Sequence, residues 1–178
     1  PTGERSRAFE HTANDWGGIG LLQTPSARMG APGEIRVSFS SVYPHNRVNV
    51  MFQPVDWLEA GFRYTSVLNR FYGAAALSGT QNYLDKSLDF KLRLAKETRH
   101  APEVSLGMID IGGTGLFSSE YLVASKRTGN FDWSLGVAWG YLGNRGSFRN
   151  PLRLFSSRMD TRPAAAGGAF GGQIGTGA

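Results

Sequence analysis

The segment from Phe131 to Tyr141, FDWSLGVAWGY, alternates large apolar residues with small or polar ones. Because side chains point alternately to the two faces of a strand, its apolar residues should share one face. A strand of that length, rising roughly 3.3 Å per residue and tilted by about 40°, spans about 27 Å, close to the apolar band of about 25 Å in an outer-membrane barrel. We therefore predict that the large apolar side chains contact lipid, namely Phe131, Trp133, Leu135, Val137, Trp139 and Tyr141.

Six earlier segments also alternate, and they predict the rest of the fold: Ile35–Phe39, Val48–Phe52, Leu58–Tyr64, Leu88–Leu94, Val104–Met108 and Tyr121–Arg127. In the last of these segments, Leu122 is expected on the polar face, opposite to Tyr121 and Val123. The sequence thus predicts an all-β protein, an antiparallel up-and-down meander of about seven strands within residues 34–141. Residues 1–33 are expected to form an irregular N-terminal segment. Residues 142–178 are expected to form a long loop with a Gly/Ala-rich low-complexity end.

The connections between the predicted strands differ in length at the two ends of the meander. One end has three short turns, Pro54–Trp57, Glu97–Pro102 and Thr128–Asn130. The other end has mostly longer connections, Tyr43–Asn46, Val67–Asp85, Ile111–Ser118 and the residues after Leu142. Short periplasmic turns and long extracellular loops are typical of outer-membrane barrels, which have an even number of strands. We therefore expect the chain to be a fragment of a larger barrel in the bacterial outer membrane.

Composition excludes several other classes. No run of eighteen apolar residues is present, so no transmembrane helix is predicted. The chain has no cysteine, so it has no disulfide and no thiolate metal site. Its net charge of +5 is spread along the chain without a basic run, so nucleic acid is not an expected partner. A soluble β-sandwich or a lipocalin-like barrel alternates in the same way and remains an alternative. The last strand carries Gly136, Ala138 and Gly140 on its other face, and such residues are poor choices for a face in contact with water. They therefore favour the membrane interpretation.

Five motifs carry a resemblance to a known family: GGIGLLQTPSARM (17–29), WLEAGFRYT (57–65), DKSLDFKLRL (85–94), GGTGLFSSEYLVASKR (112–127) and WGYLG (139–143). In these motifs the chain resembles the YjbH-like (also written YbjH) family of outer-membrane exopolysaccharide proteins. Members are much longer, so the resemblance implies an N-terminal slice of a larger barrel. It also implies a role in making or exporting an extracellular polysaccharide, together with other secretion components, and it supplies no catalytic residues.

The sequence offers little catalytic chemistry. The glycines from Gly112 to Gly115 lack the ending of a P-loop and are interpreted as a surface loop. The three histidines, His11, His45 and His100, have no metal-ligand spacing. Glu59 and Glu120 would suit a glycosidase only if about 5–9.5 Å apart. We therefore expect no enzyme activity, no cofactor and no metal, with a polysaccharide-modifying enzyme as an alternative.

The polar faces of the predicted strands carry the remaining hypothesis. If the apolar faces contact lipid, the charged residues point inward, namely Glu34, Arg36, Glu59, Arg63, Asp89, Lys91, Arg93 and Asp132. In one interpretation Arg63, Lys91 and Arg93, beside Glu59 and Asp89, guide a hydrated, anionic glycan. In the other, the carboxylates neutralise the cations in a salt-bridged wall. Membrane lipid and extracellular polysaccharide are the expected partners, whereas a soluble carbohydrate-binding or structural domain is the alternative.

Overall fold

The computed structural model describes residues 11–143 and 149–155, and seven of its strands form one antiparallel sheet. Each strand of this sheet pairs with the next one along the chain, so the predicted meander is confirmed, and the sheet forms a half-barrel. The sheet strands are β3 (Ile35–Val42), β4 (His45–Val55), β5 (Leu58–Phe71), β6 (Asn82–Ala95), β7 (Glu103–Ile109), β8 (Ser119–Thr128) and β9 (Phe131–Gly140). The predicted low-complexity end and residues 1–10 lie outside the described residues.

Short elements accompany the sheet. β1 (Gly20–Leu21) and β2 (Thr24–Pro25) form a small hairpin before it, α1 (Ala75–Ser78) lies between β5 and β6, and a 3-10 turn (Pro151–Leu154) follows β9. Within residues 11–143 and 149–155, neither helical element has the length and apolar character needed to cross a bilayer.

The sheet is inside out compared with a water-soluble protein. In β4, for example, Val48, Val50 and Phe52 are exposed, whereas Arg47 and Asn49 are buried. The same pattern holds across the sheet: Phe39 is 77% exposed and Leu135 is 74% exposed, but Arg63 is 0% exposed. Residues directly opposite one another share a face, and Val37, Val50, Phe62 and Leu88 form one such exposed row. One face of the half-barrel is therefore apolar and exposed, and the other is polar and buried.

An N-terminal segment buries the polar face. We call residues 12–32 the plug, because their side chains and backbone contact strands from β3 to β9. The plug contributes Trp16, Ile19, Ala27 and Met29 to the buried residues. Its glycines allow close approach: a Cβ on Gly17, whose φ is +88°, would lie 2.5 Å from Cβ of Asn49. The predicted irregular segment is thus the filling of the half-barrel.

The strands β5 and β6 run further than the alternation predicts. The segment Val67–Asp85 was expected to be a connection, but β5 continues to Phe71 and β6 begins at Asn82. The pairing register shifts between Val67 and Phe71, as happens at a β-bulge. Because a bulge interrupts the alternation of faces, the sequence pattern ends earlier than the strand does.

The phase of β8 was predicted wrongly. Leu122 is exposed and lies opposite Val137 and Leu106, so it belongs to the apolar outer face. Its neighbours Tyr121 and Val123 are buried on the inner face, where they line a cavity beside the plug hairpin. The inner face of β8 therefore holds apolar residues because it packs against the plug, and this hides the regular alternation.

The end of β9 also differs from the prediction. Phe131, Trp133, Leu135 and Val137 are exposed, but Trp139 is only 9% exposed. Trp139 lies opposite Glu120, and Asn150 Nδ2 donates to Glu120 Oε2 at 2.9 Å, which places the segment 149–155 beside this pair. Trp139 therefore keeps the predicted outer face of β9, but it is not exposed there as the predicted contact with lipid requires.

Tyr141 leaves the outer face altogether. Gly140 has φ +78°, a left-handed conformation that ends the alternation. The ring of Tyr141 packs edge-on at 5.0 Å from Phe117 and 5.7 Å from Trp16 of the plug. Its predicted place beside Leu135 and Val137 is wrong for this reason.

Candidate functional site

The polar inner face gathers all five residues of the predicted glycan path. Arg63, Lys91 and Arg93 lie on β5 and β6, with Glu59 and Asp89 among them. All five are shielded from solvent: the side chain of Arg93 is 15% exposed, and those of the other four are less exposed still. While the plug is in place, a long polymer therefore has no access to the other four, whereas Arg93 lines a cavity of about 350 Å³.

Glu59 joins two of the cations. Lys91 lies directly opposite Glu59 in the pairing of β5 with β6, and its Nζ is 3.0 Å from Glu59 Oε1. The second carboxylate oxygen accepts from Arg36 Nη2 of β3 at 2.9 Å. Both oxygens of this buried carboxylate are thus engaged by cations of the sheet itself.

Asp89 and Arg93 form the remaining ion pairs of this face. We call the paired residues Glu59, Arg63, Asp89, Lys91 and Arg93 the ionic wall. Asp89 pairs with Arg63, and it also accepts from the backbone N–H of Asp110 at 2.8 Å. Arg93 bridges Glu103 at 3.1 Å and Asp56 at 3.2 Å. Every one of the five residues therefore has an opposite charge as partner, and the geometry favours the salt-bridged wall over an open basic patch.

The plug is held to this wall at residues 27 and 28. The backbone N–H of Ala27 donates to Ser125 Oγ at 2.9 Å, and its carbonyl accepts from Ser105 Oγ at 2.8 Å. The carbonyl of Arg28 accepts from Lys91 Nζ at 2.8 Å. Side chains of β6, β7 and β8 thus supply hydrogen-bond partners to the backbone of residues 27 and 28, which lie outside the β1–β2 pairing.

Arg28 binds three carboxylates, one in the turn after β6, one in β7 and one in β9. Its guanidinium is 2.5 Å from Glu97, 3.1 Å from Glu103 and 2.6 Å from Asp132. The hydrogen bond from Arg28 lowers the pKa of Glu97 from 4.5 to about 2. Glu97 therefore stays ionised down to low pH. Arg28 thus attaches the plug to the end of the sheet that carries the short turns.

Trp16 forms the other attachment of the plug. The guanidinium carbons of Arg47 and Arg63 lie 4.5 Å and 4.9 Å from the centre of its ring, within the range of cation–π attraction. Phe117 packs edge-on against the same ring at 5.6 Å. Sequence reasoning missed Arg28, Trp16 and Arg47, although Arg47 has the same phase in β4 as the buried Asn49 and Gln53.

The remaining candidates do not form a catalytic or metal site. Glu59 lies on the inner face, whereas Glu120 alternates with the exposed Leu122 and so lies on the outer face. The two carboxylates are therefore on opposite sides of the sheet and cannot act as a pair. In residues 11–143 and 149–155, no three His, Cys, Asp or Glu residues converge as metal ligands.

The glycine-rich loop after β7 packs against the sheet. A Cβ on Gly113 would lie 2.0 Å from the carbonyl of Lys86, and the hydroxyl of Thr114 bonds to Asp85. Asp110 Oδ2 accepts from the backbone N–H of Phe117 at 3.0 Å. Burial, followed by repulsion from Asp85, raises the pKa of Asp110 from 3.8 to about 7. The loop thus packs over the end of the sheet and has a structural role, in line with the surface-loop interpretation.

Comparisons with known proteins agree with the resemblance seen in the sequence. The family described as exopolysaccharide biosynthesis protein YbjH matches residues 12–176. The chain is 46% identical over 165 residues to a protein of Escherichia coli (strain K12) named uncharacterized lipoprotein YjbH. That alignment covers 90% of this chain but 24% of the relative, so the chain spans about a quarter of its length. No solved structure matches. The chain belongs to the YjbH family of exopolysaccharide biosynthesis proteins.

Proposed function

We propose that this chain is part of a bacterial outer-membrane β-barrel that serves the biosynthesis and export of an exopolysaccharide without catalysing a reaction itself. The observation that carries the proposal is the inverted sheet, which exposes Phe39, Phe131 and Leu135 while it buries Arg63 and Lys91. In water this arrangement would leave a broad apolar surface uncovered, which soluble proteins avoid. In a bilayer the same arrangement is the ordinary one for barrel strands.

The two free-standing edges of the sheet support the same assignment. β3 and β9 each pair with one neighbour within residues 11–143 and 149–155. In lipid every backbone group has to be paired, so these edges require further strands. The relative is about four times as long as the aligned region, and it is named a lipoprotein, a class held at membranes by a lipid anchor. Both facts favour a membrane protein whose remaining strands close the barrel.

A non-catalytic role agrees with the ionic wall. General acids and bases need a carboxylate that a substrate can reach. Glu59 and Asp89 are instead engaged by Lys91, Arg36 and Arg63. The alternatives, a polysaccharide-modifying enzyme and a soluble carbohydrate-binding domain, have no comparable observation in their favour.

The proposal is tested with the full-length protein and a strain that lacks it. We expect the protein to fractionate with outer membranes and to resist carbonate extraction, and we expect the deletion to abolish the secreted polysaccharide. Activity assays on the purified polysaccharide should detect no shortened or modified product. Recovery of the full-length protein in the soluble fraction, or normal polysaccharide output from the deletion strain, would refute the assignment.

A further inference from the structure

The ionic wall does not depend on the plug for its charge balance. Glu59 pairs with Lys91 and Arg36, Arg63 pairs with Asp89, and both partners in each case belong to the sheet. In residues 11–143 and 149–155, the ion pairs that join the plug to the sheet all use Arg28. If Arg28 withdrew, Glu103 would keep Arg93 and Glu97 would keep Lys126, while Asp132, whose side chain is 34% exposed, would lose its ion pair to solvent. The wall is therefore complete both with and without the plug.

Arg47 is the exception to this balance. Arg47 is 2% exposed, and among the described residues no carboxylate oxygen lies within ion-pair distance of its guanidinium. Its Nε and Nη1 have no hydrogen-bond partner there, and its guanidinium lies against the ring of Trp16. Burial of a charge that has no ion-pair partner is costly, and the cation–π contact together with the longer-range attraction of Asp15 and Asp85 offsets only part of that cost. A carboxylate group would satisfy Arg47 better than the indole of Trp16 does.

We infer that the plug is displaceable, and that Arg47 is the binding residue for the acidic polysaccharide that displaces it. This inference rests on the proposed function, and it names the ligand class of the same inner face. A carboxylate of the polymer takes the place of Trp16 on Arg47, while Arg28 releases its three carboxylates. The glycines and irregular backbone of the plug allow it to move without unfolding the sheet.

An acidic polymer differs in its affinity for the closed and open states of the plug. A ligand shifts a conformational equilibrium only by its difference in affinity for the two states. With the plug in place, Arg47 is covered by Trp16 and is closed to the polymer. With the plug displaced, two N–H donors of Arg47 are available for a carboxylate. An acidic chain therefore stabilises the open state, whereas a neutral chain does not.

A disulfide lock tests the movement of the plug, because the chain has no cysteine of its own. Ala27→Cys with Ser125→Cys joins the plug to β8, at a point where the backbone N–H of residue 27 is 2.9 Å from Ser125 Oγ. Ser125→Cys with Ser134→Cys is the matched control: it uses the same position, but joins β8 to β9, where the two hydroxyl oxygens are 2.7 Å apart. In the full-length protein, oxidation of the first pair should lower polysaccharide export by about tenfold or more, and reduction should restore it.

The control pair should export normally in both redox states. Normal export from the fully oxidised 27–125 pair would overturn the inference, since the plug would then be a permanent part of the wall. Failure of the proposed function has a different signature, because a deletion strain would then make normal amounts of polysaccharide whatever the redox state.

The ligand class is tested on purified full-length protein with two polymers, polygalacturonate and dextran. Polygalacturonate should slow formation of the 27–125 disulfide about threefold or more by drawing the plug away, and dextran of the same length should not. Arg47→Gln should remove the effect, whereas Arg99→Gln, an exposed position in the connection after β6, should retain it. Equal slowing by both polymers, or an undiminished effect in Arg47→Gln, would contradict the assignment of Arg47.

Discussion

Leu135→Arg is expected to reduce the amount of folded protein in outer membranes severely, while Ser134→Arg is tolerated. Leu135 is 74% exposed on the apolar outer face. An arginine near the bilayer midplane costs about 2–4 kcal/mol on the lipid face of a barrel. Ser134 is on the inner side, where its hydroxyl is 2.7 Å from Ser125 Oγ and it lines a cavity of about 170 Å³. A guanidinium has space and polar neighbours there.

The measurement is the heat-modifiable, folded fraction of the full-length protein in isolated outer membranes. Arg99→Lys, which keeps the charge at an exposed position after β6, is the neutral surface control. Equal recovery of the Leu135 and Ser134 variants would contradict the orientation of β9. A loss confined to Ser134→Arg would mean that the two faces are assigned the wrong way round.

Asp89→Ala is expected to destabilise the folded protein by about 3–5 kcal/mol, because it leaves the guanidinium of Arg63 buried without its carboxylate. Arg63 is 0% exposed, and Asp89 is its ion-pair partner. The same substitution also removes the acceptor of the Asp110 backbone N–H. Replacement of both charged residues, Arg63→Met with Asp89→Leu, should cost less than Asp89→Ala alone, since no buried charge then remains unpaired.

The measurement is the free energy of unfolding in urea of the refolded full-length protein in lipid vesicles, taken as a double-mutant cycle. Glu34→Gln, a partly exposed carboxylate paired with Arg36, is a suitable control and should cost less than about 1 kcal/mol. A loss below that value for Asp89→Ala would show that water already solvates the Arg63 guanidinium, and the dry ionic wall would be wrong.

The sheet was predictable because its strands alternate strictly. In β9 each large apolar residue is separated from the next by one polar or small residue, and β4 departs from this only at the buried Met51. This period of two favours a strand over a helix. The prediction ended early at Val67, where a bulge interrupts the period. It misread Leu122, because Tyr121 and Val123 pack against the plug on the inner face. These errors arise where a tertiary contact, rather than the strand itself, decides what a side chain faces.

The site was predictable only in its composition. The sequence shows which charged residues share a face, but the pairing register decides that Glu59 lies opposite Lys91. The plug carries no periodic pattern, and its bond from Ala27 to Ser125 joins residues 98 positions apart. This sequence is compatible with both an open basic patch and a neutral, salt-bridged wall. The two arrangements differ only in which carboxylate reaches which cation.

The central claim is that the apolar face of the sheet contacts lipid and the charged face is turned inward. Nitroxide labels on single cysteines placed successively from Trp133 to Val137, in the full-length protein in vesicles, test it most directly. Collision with oxygen, which concentrates in lipid, should be high at 133, 135 and 137 and low at 134 and 136. A water-soluble nickel complex should collide rarely with the labels at 133, 135 and 137. High nickel collision and low oxygen collision at those three positions would place that face in water and contradict the account.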